Sequence, residues 1–366
     1  MIIKILHIVS SLSIGSGVMS TIMNFYRKID KSKVQFDFVY FYDCIEQETY
    51  KEEIIKNGGK TYYVTKPTVY AINKFTRDLT QIINKNIYKA IHLHEVYLNL
   101  LIGPIARRNN IKNIISHSHT TIYSDNKLKA IRNKILCIPL KKQVNIFFAC
   151  SRAAGKFLYG NDSDVYIMNN AIDCNKFRFN ETIRNDIRER LNLKDKFVVG
   201  HIGRFSKQKN HSFLIDIFSE IKKVKENSVL ILIGNGNLKC NIKEKVRRLN
   251  LDDYVKFLND RKDINELLQG MDIFLLPSLF EGLPVSGIEA QSTGLPCIVS
   301  NKITEELNLG NCKYISLDKS AKLWAKEIIN CGSDYIRKDN FIEITKKGFN
   351  IESEARKLEE FYINLQ

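Results

Sequence analysis

The residues best equipped for chemistry lie in one stretch, Met271 to Asn301 (MDIFLLPSLFEGLPVSGIEAQSTGLPCIVSN). Glu281 and Glu289 stand eight residues apart in it, around Gly282-Leu283-Pro284-Val285. The apolar run Ile273–Leu276 predicts a strand, Pro277–Pro284 a turn-rich loop, the residues after it a helix, and Pro296–Val299 a second buried strand. One carboxylate therefore belongs to the loop and the other to the helix. The first amides of a helix lack intrahelical acceptors and sit at the positive end of its dipole, so they attract anions. Amides for phosphates and carboxylates for hydroxyls suit a sugar nucleotide.

A second group follows the predicted strand Phe197–Ile202, in Gly203-Arg204-Phe205-Ser206-Lys207-Gln208-Lys209-Asn210. Arg204 comes directly after the strand and Lys209 just before the next helix, both at the carboxyl edge. A guanidinium fork and an ammonium there would neutralise a departing nucleoside diphosphate. Lys207 competes with Lys209 for that role. The strand Val229–Ile233 ends in Gly234-Asn235-Gly236, and a base and ribose are expected between this turn, the strand end at Leu258 and Glu289. In the first half, Ser13-Ile14-Gly15-Ser16-Gly17 forms the first strand-to-helix turn, whose glycines admit a phosphate or sugar to the backbone. Of seven histidines, His94 (AIHLHE) and His117 and His119 (IISHSHTT) fall just past predicted strands, at the same carboxyl edge. No Asp or Cys nearby completes a metal set, so these histidines read as sugar-contacting or proton-handling groups.

The elements that must position these residues alternate. Strands are predicted at Ile2–Ser10, Val34–Tyr42, Thr61–Val64, Ala90–Leu93, Asn113–Ser116, Asn145–Ala149 and Val165–Met168, with helical periods between them. After a polar stretch, Ile172–Lys196, the alternation restarts and runs to a strand near Lys313–Ser316, followed by a helical tail. Alternation of this kind means parallel sheets with helices on both faces. The reading is α/β, with two doubly wound domains: residues 1–171 plus a returning helix at 351–366, and residues 172–350. Ligands of such sheets bind at strand carboxyl ends, so a cleft between facing domains is expected.

The chain has 366 residues, 44% hydrophobic and 26% charged, enough for two cores. Its eight cysteines form no C-x-x-C pair and read as reduced thiols of a cytoplasmic protein. No apolar run reaches the roughly 18 residues of a spanning helix, and MIIKILHIVSSL reads as a first strand, not a signal peptide. The net charge of +16 needs an anionic partner or substrate. From Lys127 to Lys142 (KLKAIRNKILCIPLKK) six basic residues and no acidic one are interleaved with aliphatics. That segment reads either as a headgroup-binding amphipathic helix or as a half-buried helix with a solvated basic face. Nucleic acid is disfavoured, for no aromatic-basic module appears. A dehydrogenase is excluded by the missing third glycine and the missing acidic residue of the second strand.

Taken together, Gly203-Arg204 with Lys209, the Gly234-Asn235-Gly236 turn and PSLFEGLPVSGIEAQSTGLPCIVS resemble the retaining glycosyltransferases of family 4, which have the two-Rossmann glycosyltransferase B fold. Glu281 and Glu289 match that family's Glu-x7-Glu signature. The segments IVSSLSIGSGVMSTIMNFYRKIDKSKVQFDFV and SHSHT are similar to bacterial capsular and exopolysaccharide enzymes. One departure is Ser16-Gly17-Val18-Met19, where relatives have Gly-Gly-x-Glu. The resemblance implies metal-independent transfer with retention, without a cofactor, from a UDP-sugar to a lipid-linked saccharide, peripherally on the inner face of the plasma membrane. It implies that Glu281, His119, Arg204 and Lys209 are catalytic. Glu281 would hold the donor sugar, Glu289 the ribose, and Arg204 and Lys209 the leaving phosphates, joined by the amides of Leu283 and Val285. Gly17, Gly203, Asn235, Gly236, Leu258, Gly282 and Pro284 would complete the donor contacts. His119 would touch the sugar near its reacting carbon, with Ser16, His94 and His117 in the acceptor vicinity. A sugar-nucleotide epimerase on the same fold is the alternative.

Overall fold

The computed structural model describes residues 2–43, 48–161, 163–333 and 335–366. Cys44 lies outside the described residues. The chain divides into two compact units, Met1–Ala171 with Ile351–Gln366, and Ile172–Asn350.

The N-terminal unit holds a parallel sheet of β1 (Ile3–Ile8), β2 (Val34–Tyr40), β3 (Thr61–Tyr63), β4 (Ala90–Leu93), β5 (Asn113–Ser118), β6 (Ile146–Ala149) and β7 (Tyr166–Ile167). Their order is β3-β2-β1-β4-β5-β6-β7. Both faces are covered, which is why β2 is buried along its whole length despite carrying Gln35 and Asp37. One face packs on α1 (Gly17–Lys28) and on the C-terminal helix Ile351–Ile363. Ile351, Ala355, Leu358 and Tyr362 make that helix's buried stripe, and Lys28–Glu352, at 2.6 Å, ties it to α1. The other face buries Phe75, Leu79, Ile102 and Ile105.

The helix α2 (Lys127–Cys137) has the solvated basic face of the half-buried reading, but most of its aliphatic residues are exposed as well. Its inward residues are Asn133 and Cys137, while Leu128 and Ile131 are 79% and 60% exposed, and Ile135 and the following Ile138 are 58% and 76% exposed. The asparagine faces in because its amide donates to the Tyr123 carbonyl at 2.9 Å.

The second unit holds β8 (Phe197–Ile202), β9 (Ser228–Ile233), β10 (Val255–Leu258), β11 (Ile273–Leu276), β12 (Cys297–Ser300) and β13 (Cys312–Ile315). Their order is β10-β9-β8-β11-β12-β13, all parallel. The winding direction reverses between β8 and β11, so the loops after these two strands emerge side by side. Trp324, Phe218 and Ile328 anchor the core beneath α3 (His211–Val224), and α4 (Val285–Ser292) follows the β11 loop.

The polar stretch 172–196 contains a helix, Glu181–Arg190, where sequence periodicity predicted none. Its only fully buried residue is Ile187, so it carries little hydrophobic signal. Polar contacts hold it in place: the Asn180 side chain caps it, and Arg184 and Arg188 meet Asp272 at 2.5 and 3.2 Å. In the N-terminal unit, β5 runs two residues beyond its expected end, which places His117 within the sheet instead of after it.

Candidate active site

The loop after β8 and the loop after β11 are joined by both backbone and side chains. The Leu279 amide donates to the Gln208 carbonyl at 2.8 Å, and the Asn210 side chain donates to the Pro277 carbonyl at 3.1 Å. Asn210 has φ of 54°, a left-handed conformation that asparagine adopts more readily than most residues. This geometry brings Lys209 Nζ to 2.6 Å from Glu281 Oε1, with side chains 14% and 7% exposed. The second carboxylate oxygen accepts from Gln208 Nε2 at 2.9 Å. Lys209 and not Lys207 makes this pair; Lys207 is exposed. Glu281 is therefore a fixed, oriented carboxylate, aligned by two donors from the neighbouring loop.

Gly203 makes room for that arrangement, since a Cβ there would stand 3.0 Å from Lys209 Cδ and Cε. Gly234, at φ of 138°, lies so close to Gly203 that a Cβ would meet its carbonyl at 2.4 Å. The amides of Gly203 and Phe205 donate to Ile233 and Asn235, and the Gly234 amide donates to Leu258. The two glycine turns and the end of β10 thus form one backbone shelf. The Arg204 side chain stands exposed on it with no hydrogen-bond partner among the described residues; burial raises the nearby Asp260 carboxyl, and the charges of Lys239 and Arg204 oppose this. Pro284, the residue before α4, supplies no capping side chain. Val285 is its first residue, so its opening amides suit an anion. Gly282 and Leu283 are buried in the turn before it.

Glu289 lies one turn into α4 and is half-buried. Loss of solvent raises its carboxyl to about 7, and the charge of Lys176 opposes this. A carboxyl so placed gains from hydroxyls that donate to its ionised form.

In the N-terminal unit, Ser16 caps α1 by accepting from the Met19 amide at 3.4 Å. Gly17 follows it, exposed, with open space where a Cβ would be. His94 and His117 are buried and His119 is half-buried. They are joined by His7 and His92, and two overlapping triads, His7-His92-His94 and His94-His117-His119, have ring nitrogens within 4.8 Å of one another. Histidines alone thus supply the close nitrogens for which the sequence showed no Asp or Cys. The contacts between them are 2.8–3.1 Å ring-to-ring hydrogen bonds.

A family profile described as Glycosyl transferases group 1 matches residues 183–348. The chain is 33% identical over 359 residues to the Bacillus subtilis protein described as glycosyltransferase EpsF, covering 93% of this chain and 91% of that one. The chain belongs to the group 1 glycosyltransferases. This glycosyltransferase is also 26% identical over 317 residues to an Escherichia coli enzyme, UDP-Gal:alpha-D-GlcNAc-diphosphoundecaprenol alpha-1,3-galactosyltransferase, covering 78% of each chain. Its fold is shared with Anabaena Alr3699/HepE, solved in complex with UDP-glucose, at a TM-score of 0.75 over 99% of this chain and 96% of that one, with 19% identity. Both units of the glycosyltransferase B fold are therefore present.

Sequence reasoning gave no role to Gln208 or Asn210, although both lie in the quoted loop, because a 3-10 turn at Lys207–Lys209 decides which side chains point at β11. It also gave none to His7 and His92. A usable signal existed: His92-x-His94 and His117-x-His119 follow the two-residue period that puts both members of a pair on one strand face.

Proposed function

We propose that this glycosyltransferase moves a hexosyl group with retention from a UDP-sugar to a hydroxyl of a lipid-linked saccharide in surface polysaccharide synthesis. The observation that carries the reading is the Lys209–Glu281–Gln208 constellation, set between an exposed Arg204 and the uncapped start of α4. In this reading the second unit binds the nucleotide-sugar and the N-terminal unit the acceptor. Glu281 accepts from donor-sugar hydroxyls and Glu289 from ribose hydroxyls, while Arg204, Lys209 and the amides of Leu283 and Val285 hold the diphosphate. The bond from the anomeric carbon to the phosphate oxygen breaks as the bond to the acceptor oxygen forms on the same face. The acceptor proton passes to the departing phosphate, so neither glutamate is a nucleophile, and the two cations take the part a metal would play. His119 contacts the transferred sugar.

The E. coli relative's named donor and diphosphoundecaprenol-linked acceptor support both substrate classes. No helix among the described residues is long and apolar enough to cross a membrane. The solvent-facing aliphatic stripe of α2, flanked by Lys127, Lys129, Arg132, Lys134, Lys141 and Lys142, supports peripheral attachment to an anionic surface on the cytoplasmic side.

Nucleoside diphosphate release measured across several UDP-sugars and GDP-mannose tests the donor, and the anomeric configuration of the product tests retention. A UDP-sugar should be turned over only when a lipid-linked acceptor is present. Product from donor alone would mark an epimerase and refute the reading.

A further inference from the structure

Five imidazoles line one face of the N-terminal sheet at the carboxyl ends of β1, β4 and β5, in two head-to-tail chains. In the first, His7 Nδ1 lies 3.0 Å from His94 Nε2, and His94 Nδ1 lies 2.8 Å from His119 Nε2. The ring planes differ by 17° and 25°. In the second, the Tyr362 hydroxyl meets His92 Nδ1 at 2.7 Å and His92 Nε2 meets His117 Nδ1 at 3.1 Å. The chains stack on each other, His92 on His94 at 4.5 Å and His117 on His119 at 4.0 Å between centroids.

Nearly coplanar rings with a nitrogen of each aimed at the next have the geometry of N–H···N hydrogen bonds. A neutral imidazole has one N–H and one lone pair, so the protons of the first chain are ordered together. Either all three rings carry hydrogen on Nδ1 or all three carry it on Nε2. Any mixture sets two lone pairs or two N–H groups against each other.

The inner end decides between the two orders. His7 Nε2 is buried without a partner. In the Nε2–H order it would be a buried N–H with no acceptor, whereas in the Nδ1–H order it is only an unused lone pair. An orphaned buried N–H is the rarer of the two. At the outer end, the half-buried His119 has no partner for Nδ1 among the described residues.

We propose that His7 and His94 are positioning residues that lock His119 in the neutral Nδ1–H form, so that it offers the transferred sugar a hydrogen-bond donor and not a base. The use of the donor rests on the sugar-contact reading of His119; the tautomer does not. A proton taken up at His119 would stay in the chain as a buried cation, because His7 Nε2 opens onto no acceptor. Burial agrees with this, holding His7 and His119 at about 3. A cation bound by His94, His117 and His119 would require the lone pairs of the stacked His117 and His119 to converge, and would displace the bond between His94 and His119.

Proton–nitrogen correlation spectra of the full-length protein, labelled at histidine nitrogens, read each tautomer directly. At neutral pH, His119 in the wild type should be protonated on Nδ1 alone. His94→Asn keeps an N–H donor at the δ position and should preserve that spectrum. His94→Leu removes the donor to His119 Nε2, so that nitrogen should move to the shift of an unbonded lone pair. With the ring no longer held, turnover should slow about tenfold, the worth of one hydrogen bond, with the donor KM little changed. An Nε2–H or doubly protonated His119 in the wild type overturns the proposal. So does an unaltered His119 spectrum in His94→Leu, or a shift of these nitrogens to metal-bound positions with one equivalent of zinc chloride. The expected spectra without transfer from any UDP-sugar would support the lock and count against the sugar-transfer reading alone.

Discussion

Replacing Lys209 by methionine separates what its ion pair does for the fold from what it does for catalysis. The pair spans 2.6 Å and is almost out of solvent, with 14% and 7% of the two side chains exposed. Removing one partner of a buried pair strands the other charge and costs about 3–5 kcal/mol. Gln208 still donates to Glu281, so the lower figure applies, about 3 kcal/mol. For a unit the size of Ile172–Asn350 this should lower its melting transition by about 6–12 °C. In the double variant Lys209→Met, Glu281→Gln the stranded charge is gone, the amide keeps its bond to Gln208, and most of the stability should return. Turnover should not return, since a cation opposite the leaving phosphate has been lost, an effect of about 100-fold or more. Circular dichroism melts of the three proteins, with nucleoside diphosphate release at saturating donor, separate the effects. A single variant that melts like the wild type would refute the buried-pair argument. A double variant with wild-type turnover would refute the phosphate role.

Three further outcomes follow from the same geometry. Arg204→Ala removes an exposed side chain with no hydrogen bond among the described residues, so melting should shift by the equivalent of less than about 0.5 kcal/mol while turnover falls about 100-fold; equal turnover would remove Arg204 from the site. Glu289, raised to about 7, holds a proton in the folded chain that the unfolded chain releases above its ordinary 4.5. Its contribution to stability is therefore full below about 4.5 and is lost as pH rises through about 7, while ribose hydroxyls favour the ionised form. UDP affinity measured by calorimetry should accordingly rise with pH across about 7, and Glu289→Gln should flatten both profiles. Changing Leu128, Ile131, Ile135 and Ile138 to serine should leave melting unchanged, because all four face solvent. The same change should cut flotation with anionic vesicles more than about tenfold, each aliphatic buried in lipid being worth about 1.5 kcal/mol or more; unchanged flotation would exclude α2 as the membrane contact.

The fold was readable because its signals are local. Runs such as Phe197–Ile202 and Ile273–Leu276 are continuous and apolar, as strands covered on both faces must be, and their observed bounds are those expected. The helix Glu181–Arg190 escaped because charge, not apolar periodicity, holds it to its unit. At the site, the types and spacing of Glu281, Glu289, Arg204 and Lys209 were legible, but their pairing was not. Seventy-two residues separate Lys209 from Glu281, and only the adjacency of β8 and β11 brings them together.

Periodicity also identifies a face without saying which way it points. The aliphatic residues of α2 recur at helical spacing, and the bland expectation is that such a stripe is buried. Here the inward side carries Asn133, which is satisfied by the Tyr123 carbonyl, and Cys137, leaving Leu128, Ile131 and Ile135 to solvent. The histidines show the converse case. A residue with an ordinary value near neutrality reads in a sequence as a proton carrier. Placed on adjacent parallel strands in register, His7 beside His92 and His94 one step further, the rings instead bond to one another and lose solvent together. Neutrality then comes from the sheet and not from the residue type. In the proposed lock, the chemistry left to His119 is that of a single oriented N–H, set through His94 and His7.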